Sequence, residues 1–120
     1  MKHRLNEIRY KKEACLLHLR FDDGSSFSLP CEYLRVFSPS AEVRGHGLSE
    51  PMLVIGKENV KITAIEPVGR YAVKLIFDDG HDSGLYDWDT LYRLGVDYEK
   101  NWSDYLKRLA NAGVTREKPQ

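Results

Sequence analysis

The sequence predicts an α+β fold: mainly antiparallel β-hairpins, with short helices and one C-terminal helix packed on the sheet. Three observations lead to this prediction. The motif Phe-Asp-Asp-Gly occurs at residues 21–24 and again at 77–80, each time between an apolar run and a short strand-like stretch. A short segment of helical character follows each copy. After residue 101 the apolar residues recur with the period of a helix rather than that of a strand.

The first hairpin follows from the placement of its apolar residues. Residues 5–10 and 14–21 read as strands around a polar turn. A three-residue loop, Asp22–Gly24, places Leu17 opposite Leu29 and Leu19 opposite Phe27, which makes one face of the hairpin apolar. Gly24 then takes the left-handed position of a bulged turn. A short helix is predicted next, at residues 31–34.

The second copy is predicted to obey the same rule. Residues 61–66 form a strand, residues 67–70 turn the chain, and residues 71–77 return. Around the loop Asp78–Gly80, the same register places Val73 opposite Leu85 and Phe77 opposite His81. The aspartates of both motifs are explained by turn chemistry. A helix follows at residues 87–94, with Asp87 as its N-cap.

The last helix carries its apolar residues on one face. Trp102, Tyr105, Leu106 and Leu109 stand at i, i+3, i+4 and i+7, and Gly113 is a stop signal. We therefore assign residues 1–113 to a single domain. Residues 114–120 have little to bury and are predicted to form a frayed tail.

Composition excludes several function classes. At 120 residues and 42% hydrophobic, the chain suits one domain that needs neither metal nor disulfide to fold. Eighteen basic and eighteen acidic residues cancel, so no nucleic-acid partner is predicted, and no apolar stretch is long enough for a membrane partner. The charged opening lacks a signal peptide, which favours a cytoplasmic protein with reduced cysteines.

The segment from residue 35 to about 57 is the predicted site, since long connections in compact domains are usually functional or disordered. Apolar residues anchor it, and two glycines flank its histidine. Its candidate partner- or anion-binding residues are Arg35, Ser38, Ser40, Arg44 and His46. If this segment adjoins the tip of the second hairpin, Arg35, Arg44, His46 and His81 would form one polar patch that accepts an acidic group. The alternative is that the arginines pair with Glu42 and Glu50 and merely fasten the loop.

Spacing gives no strong signal for a metal or for catalysis. No pair has Cys-x-x-Cys or His-x-x-x-His spacing, and no residue stands in a recognisable nucleophile motif. Cys15 is interpreted as a core residue, and Cys31 as the more accessible thiol. No enzyme activity is predicted.

Three features of the sequence belong together: the two Phe-Asp-Asp-Gly motifs, residues 34–47, and the closing Trp102 and Tyr105-Leu106. In this combination the sequence resembles the γ-butyrobetaine-hydroxylase-like N-terminal domain family, DUF971. In γ-butyrobetaine and trimethyllysine hydroxylases this domain precedes an oxygenase domain, which this sequence lacks, and holds a zinc with three cysteines and one histidine. The resemblance aligns those cysteines with Ser38, Ser40 and Val43, and the histidine with His81. A zinc site would then need Cys31 or His46 as substitutes.

Two functional hypotheses follow. The first is a stand-alone, non-catalytic accessory domain, a monomer or weak homodimer without a cofactor, that binds a protein partner through the loop Arg35–Gly47. The second is a metal-binding or iron-sulfur-cluster-handling protein that holds zinc or iron with His81, Cys31 and His46. Similar domains occur at the end of some P-loop ATPases that carry iron-sulfur clusters, and this resemblance supports the second hypothesis.

Overall fold

The computed structural model describes residues 2–39 and 53–116. The strands form two antiparallel three-stranded sheets. The first sheet contains β1 Leu5–Lys11, β2 Leu16–Phe21 and β3 Ser26–Pro30. The second sheet contains β4 Ile62–Val68, β5 Ala72–Phe77 and β6 Leu85–Asp87. The helices in the described parts are α1 Cys31–Val36, α2 Trp88–Val96 and α3 Tyr98–Asn111. The α+β class predicted from the sequence is confirmed. None of these helices is long and apolar enough to cross a membrane.

The two sheets repeat each other at their tips and in the pairing of their first two strands. At the tips, the Phe21 N–H donates to the Ser25 carbonyl at 2.8 Å, and the Phe77 N–H donates to the His81 carbonyl at 3.0 Å. Gly24 and Gly80 both have positive φ, 89° and 91°. In each sheet the first strand pairs with the second through a register shift near its beginning, after Leu5 and after Ile62. Each sheet is followed by a helix, so the chain contains two βββα units.

In the first hairpin, Leu17 pairs with Leu29 and Leu19 with Phe27. This is the register expected for a three-residue loop. Leu17, Leu19 and Leu29 are buried, so the apolar face of this hairpin lies in the core.

The second hairpin departs from the predicted register. Val73 pairs with Tyr86, and Leu85 pairs with Lys74. Phe77 and Val73 are four positions apart, whereas their partners His81 and Tyr86 are five positions apart, so one extra residue on the returning side shifts that strand by one position. Tyr86 is thereby fully buried, whereas Leu85 is 50% exposed. The shift follows from burial, since an aromatic ring contributes more apolar area than a leucine.

Cys15 differs from its predicted place in a strand. Strand β2 begins at Leu16, and Cys15 lies in the preceding turn with a φ of 53°. Its carbonyl accepts the Cys31 N–H at 3.0 Å, which ties the turn to the start of α1. Cys15 is partly buried against the core.

The main core lies between the two sheets and the helices α1 and α2. Its buried members come from both units: Leu17, Leu19, Phe21, Leu29, Cys31, Tyr33, Leu34, Val60, Ile62, Val73, Leu75, Phe77, Tyr86, Leu91 and Leu94. On α2, the Asp87 side chain accepts the Thr90 N–H at 2.7 Å, as predicted for an N-cap.

Helix α3 packs differently from the prediction. Its buried Tyr105 and Leu109 form a second cluster with Val36, against which Leu53 and Val54 pack. This face therefore covers α1 and the chain beyond residue 52, and not simply a sheet. Leu106, which the pattern places on the buried face, is 39% exposed.

The end of α3 is held. Gly113 has a φ of 72°, and the Val114 N–H donates to the Leu109 carbonyl at 3.0 Å, a glycine-based helix stop. The tail assigned to residues 114–120 is anchored at its start, because Val114 packs in the second cluster and Arg116 pairs with Glu32. Residues 117–120 lie outside the described residues.

Candidate functional site

An ion-pair cluster joins the two units. The Arg35 Nε donates to the Asp79 Oδ2 at 2.8 Å, and the Lys57 Nζ lies 2.6 Å from the same oxygen. The Asp79 Oδ1 accepts the His81 N–H at 3.0 Å. Partial burial acts to raise the pKa of Asp79, but the hydrogen bonds from Lys57, His81 and Arg35 outweigh it and hold the pKa well below its usual range.

A buried hydrogen bond continues the cluster inward. The Ser38 Oγ lies 2.9 Å from the His81 Nε2, and the two residues are only 2% and 7% exposed. The Tyr86 hydroxyl, bonded to the Leu34 carbonyl, also reaches Ser38. A Cβ at Gly84 would lie 2.5 Å from the Ser38 Oγ, so glycine is what permits this approach. We call Arg35, Ser38, Lys57, Asp79 and His81 the polar cluster.

The fold explains why these residues meet. Arg35 lies in the last turn of α1, and Ser38 follows that helix, whereas Asp79 and His81 form the tip of the second hairpin. Arg35 and His81, two members of the patch considered from the sequence, both lie around Asp79.

The remaining predicted residues lie outside the described residues. These are Ser40, Val43, Arg44 and His46, together with the alternative partners Glu42 and Glu50. The polar cluster flanks their segment in sequence, since Ser38 precedes it and Lys57 follows it.

The polar cluster has a surplus of cationic donors. Two cations share the one carboxylate of Asp79. The Arg35 Nη1 is buried and has no hydrogen-bond partner among the described residues. Because a guanidinium offers five donors in a planar fork, Arg35 retains capacity for a second acceptor.

Sequence reasoning missed Lys57, and it considered Asp79 as a turn residue and as a carboxylate near a possible metal, not as the partner of two cations. The first tip shows what a turn role looks like. There the Asp23 Oδ1 accepts the Ser25 N–H at 2.8 Å, and its Oδ2 accepts the Tyr92 hydroxyl at 2.7 Å. Both tips therefore reach the helix of the other unit. Asp23 of the first tip bonds the phenol of Tyr92, whereas Asp79 of the second tip binds two cations. The repetition of the motif indicates that the second tip, like the first, contacts the rest of the domain, but it does not identify the residues that Asp79 contacts.

Cys31 is not the accessible thiol that the sequence suggested. It is 1% exposed, and its Sγ donates to the Tyr10 hydroxyl oxygen at 3.8 Å. Burial raises the pKa of the Cys31 thiol, which disfavours the thiolate. Cys15, at intermediate burial, is the more accessible of the two.

The donors in the described residues do not fit a zinc site. Within residues 2–39 and 53–116, no three side chains of the types His, Cys, Asp or Glu converge in a way that would hold a metal. His81 bonds a serine hydroxyl, which is a poor zinc ligand, and Asp79 is held by two cations that would repel one. A hydrogen bond joins the two positions that the resemblance assigns to zinc ligands, Ser38 and His81.

Comparisons with known proteins agree with this architecture. The family model described as gamma-butyrobetaine hydroxylase-like, N-terminal, matches residues 8–92. The chain is similar to two proteins with NMR solution structures, at 50% and 48% identity, with TM-scores of 0.84 and 0.83. The first match covers 99% of this chain and 89% of that protein, and the second covers 98% and 93%.

A third similar structure is a crystal structure from Acidithiobacillus ferrooxidans, of a protein with unknown function in the DUF971 family. It is 36% identical, with a TM-score of 0.64, and the match covers 77% of this chain and 92% of that one. No curated protein matches the chain. In these structures the domain accounts for nearly the whole of each chain.

Proposed function

The chain belongs to the γ-butyrobetaine hydroxylase-like N-terminal family, and from that premise we propose that it is a non-catalytic, cytoplasmic accessory domain that binds an acidic group of a protein partner. The binding surface comprises the polar cluster and the loop residues Ser40, Arg44 and His46. The domain acts as a monomer or weak homodimer and needs no cofactor.

One observation carries this proposal. The Arg35 side chain, which is 12% exposed, is fixed by Asp79 and has unused donor capacity, since its buried Nη1 has no hydrogen-bond partner among the described residues. A guanidinium fixed in this way has already lost much of its side-chain freedom, so binding an acidic group costs little further entropy. Lys57 adds a second positive charge beside it. Carboxylates and phosphates are the groups that such a fork recognises in two-point fashion.

The chemistry of the polar cluster favours binding over catalysis. The Ser38 hydroxyl and the His81 imidazole are in contact, as in a nucleophile–base pair, but Ser38 is 2% exposed and Tyr86 also bonds it. A nucleophile must reach its substrate. The buried pair instead supports the position of the hairpin tip.

The test uses affinity capture in cytosolic extract, followed by quantitative mass spectrometry and titration of the captured protein after purification. The bait variants are Arg44→Ala with His46→Ala, and Arg35→Ala. The matched control is Arg70→Ala with Lys74→Ala, in the turn before β5 and in β5 itself. We expect one partner to be captured by the wild type and the control and lost, by at least tenfold in affinity, with both loop and cluster variants. Equal capture by all the baits would contradict the proposal.

Metal handling, the second hypothesis, makes a separate prediction. If it were correct, protein purified without tag, chelator or oxygen would contain near-stoichiometric zinc or iron that falls in His81→Ala. We expect less than about 0.1 metal ion per chain by elemental mass spectrometry, because the described donors lack a thiolate beside His81. Stoichiometric metal that depends on His81 would replace the binding proposal with the metal hypothesis.

A further inference from the structure

Glu32 is a buried carboxylate whose cation comes from beyond the last helix. It lies in α1 and is 8% exposed. Arg116 binds it with two donors: Nη2 to Oε1, and Nε to Oε2 at 3.3 Å. This two-point geometry is what a carboxylate offers to an arginine.

Aromatic rings complete the surroundings of this guanidinium. The Arg116 guanidinium carbon lies 5.2 Å from the centroid of the Trp102 ring, within the range of a cation–π contact. Tyr98 and Tyr105 flank Trp102, with ring centroids 6.5 Å and 5.1 Å away. A carboxylate fork beside an indole face is an environment that selects arginine over lysine, because only a guanidinium is both planar and bidentate.

The segment that carries Arg116 is attached to the domain through few residues, Val114 and Arg116 itself. It leaves α3 at Gly113, and Val114 is its one residue in the second cluster, while Thr115 is exposed. Segments with few buried contacts open at low free energy while the rest of the domain stays folded.

Detachment of the segment that carries Arg116 would leave the buried Glu32 carboxylate without its cation. Burial raises the pKa of the Glu32 carboxyl, and Arg116 opposes that shift. Without Arg116 the buried charge is uncompensated, which is costly unless another cation enters. A cavity of about 250 Å³ borders Arg116 and is lined by Ile55, Glu58, Tyr105 and Leu109 among others.

We propose that Glu32, Trp102 and Tyr98 form a binding site for an arginine side chain of a basic partner peptide, which Arg116 of the same chain occupies until it is displaced. This arginine site is distinct from the polar cluster and has the opposite charge preference. Residues 113–116 thus act as an internal competitor.

The experiment titrates the full chain with two capped tripeptides, N-acetyl-Gly-Arg-Gly-amide and its lysine counterpart. The ¹H–¹⁵N signal of the Trp102 indole reports binding, and that of Trp88 serves as an internal reference. The variants are Arg116→Ala, Arg116→Ala with Glu32→Gln, and the control Lys107→Ala on the exposed side of α3. Since binding to Arg116→Ala is freed from internal competition, we expect it to be at least tenfold tighter than binding to the wild type or the control.

Two further outcomes define the ligand. The lysine peptide should bind Arg116→Ala at least fivefold more weakly than the arginine peptide, and Glu32→Gln should abolish binding. Equal affinity of the wild type and Arg116→Ala, or binding that survives Glu32→Gln, would overturn the proposal.

If Arg116→Ala does not fold, the wild type decides the question. Excess arginine peptide must then shift the Arg116 Nε–H and Trp102 indole signals together, and no shift in either would overturn the proposal. The proposed function is tested on Arg35, Arg44 and His46, so failure of either proposal is recognised separately.

Discussion

At the residue scale, the side chain of Asp79 couples the two units. Its turn position is local, since the Oδ1 accepts the N–H of His81 two residues later. Its other oxygen reaches Arg35, 44 residues away in sequence. One short side chain therefore fixes the hairpin tip and orients the arginine on which the proposed function depends.

Substitution of Asp79 should change how stability depends on pH. The pKa of Asp79 in the folded protein lies below its ordinary value of 3.8, so its stabilising contribution is present above that pH and is lost as pH falls further. We expect Asp79→Asn to lose about 1–3 kcal/mol at neutral pH. Between about pH 4 and about pH 2 its unfolding free energy should fall less steeply than that of the wild type.

Urea denaturation across this pH range measures both effects. The control is Asp82→Asn, three residues on and exposed, which should keep the wild-type slope. A wild-type slope in Asp79→Asn would show that the ion pairs do not stabilise the fold.

The cysteines give a second prediction at this scale. Because Cys31 is 1% exposed and has a raised pKa, iodoacetamide should modify Cys15 at least about tenfold faster in the folded protein. Peptide mass spectrometry over time measures the two rates, and denatured protein provides the reference in which both react. Comparable rates in the folded state would mean that α1 opens readily at its first residue.

At the element scale, each hairpin tip contacts the helix of the other unit. Asp23 and Ser25 reach Tyr92 on α2, while Asp79 reaches Arg35 on α1. Helix α2 also crosses the first sheet closely, at Gly95. The helices therefore serve as connectors between the units, and not only as caps on their own sheets.

Gly95 is the position where this contact can be tested. A Cβ there would collide with the Phe27 ring, whose Cδ2 would be 2.5 Å away. Alanine is the better helix former by about 1 kcal/mol, but the collision should outweigh this and destabilise Gly95→Ala by about 1–3 kcal/mol. Val96→Ala, at a neighbouring position that is 59% exposed, should be nearly neutral in the same denaturation experiment. A stabilised Gly95→Ala would show that α2 can move away from the sheet at little cost.

At the scale of the whole molecule, the two units share one core and exchange contacts through their tips. Leu19 of the first sheet and Leu75 of the second are both fully buried in that core. The polar side chains at each hairpin tip find hydrogen-bond partners on the helix of the other unit. The domain should therefore behave as a single cooperative unit.

Native-state hydrogen exchange tests this cooperativity. The amides of Leu19 and Leu75 should exchange with the same opening free energy, equal to that of global unfolding measured by circular dichroism. A lower value for one sheet would show that one unit opens independently. The amide of Val114, in the segment beyond Gly113, should exchange at a lower opening free energy than either, because that segment buries little.

The sequence by itself determined the two hairpin units, the first register and the stop of the last helix at Gly113, because these depend on residues within a few positions of one another. The predicted end of α2 before Gly95 was wrong, since this helix continues through Gly95 to Val96. Alternating apolar residues decided which face of the first hairpin is buried, and Gly24 and Gly113 stand where a positive φ is required. The register of the second hairpin was predicted wrongly. The returning side has one extra residue before β6, and the resulting shift buries Tyr86 instead of Leu85.

Only the tertiary structure decided the partners of the polar groups. Nothing local distinguishes Asp79, which meets two cations, from Asp23, which meets a phenol. Likewise, the burial of Cys31 and the meeting of Glu32 with Arg116 join residues that are far apart in sequence. Such contacts depend on how the two units pack, since hydrogen bonds and ion pairs between distant segments carry no periodicity that a sequence pattern could reveal.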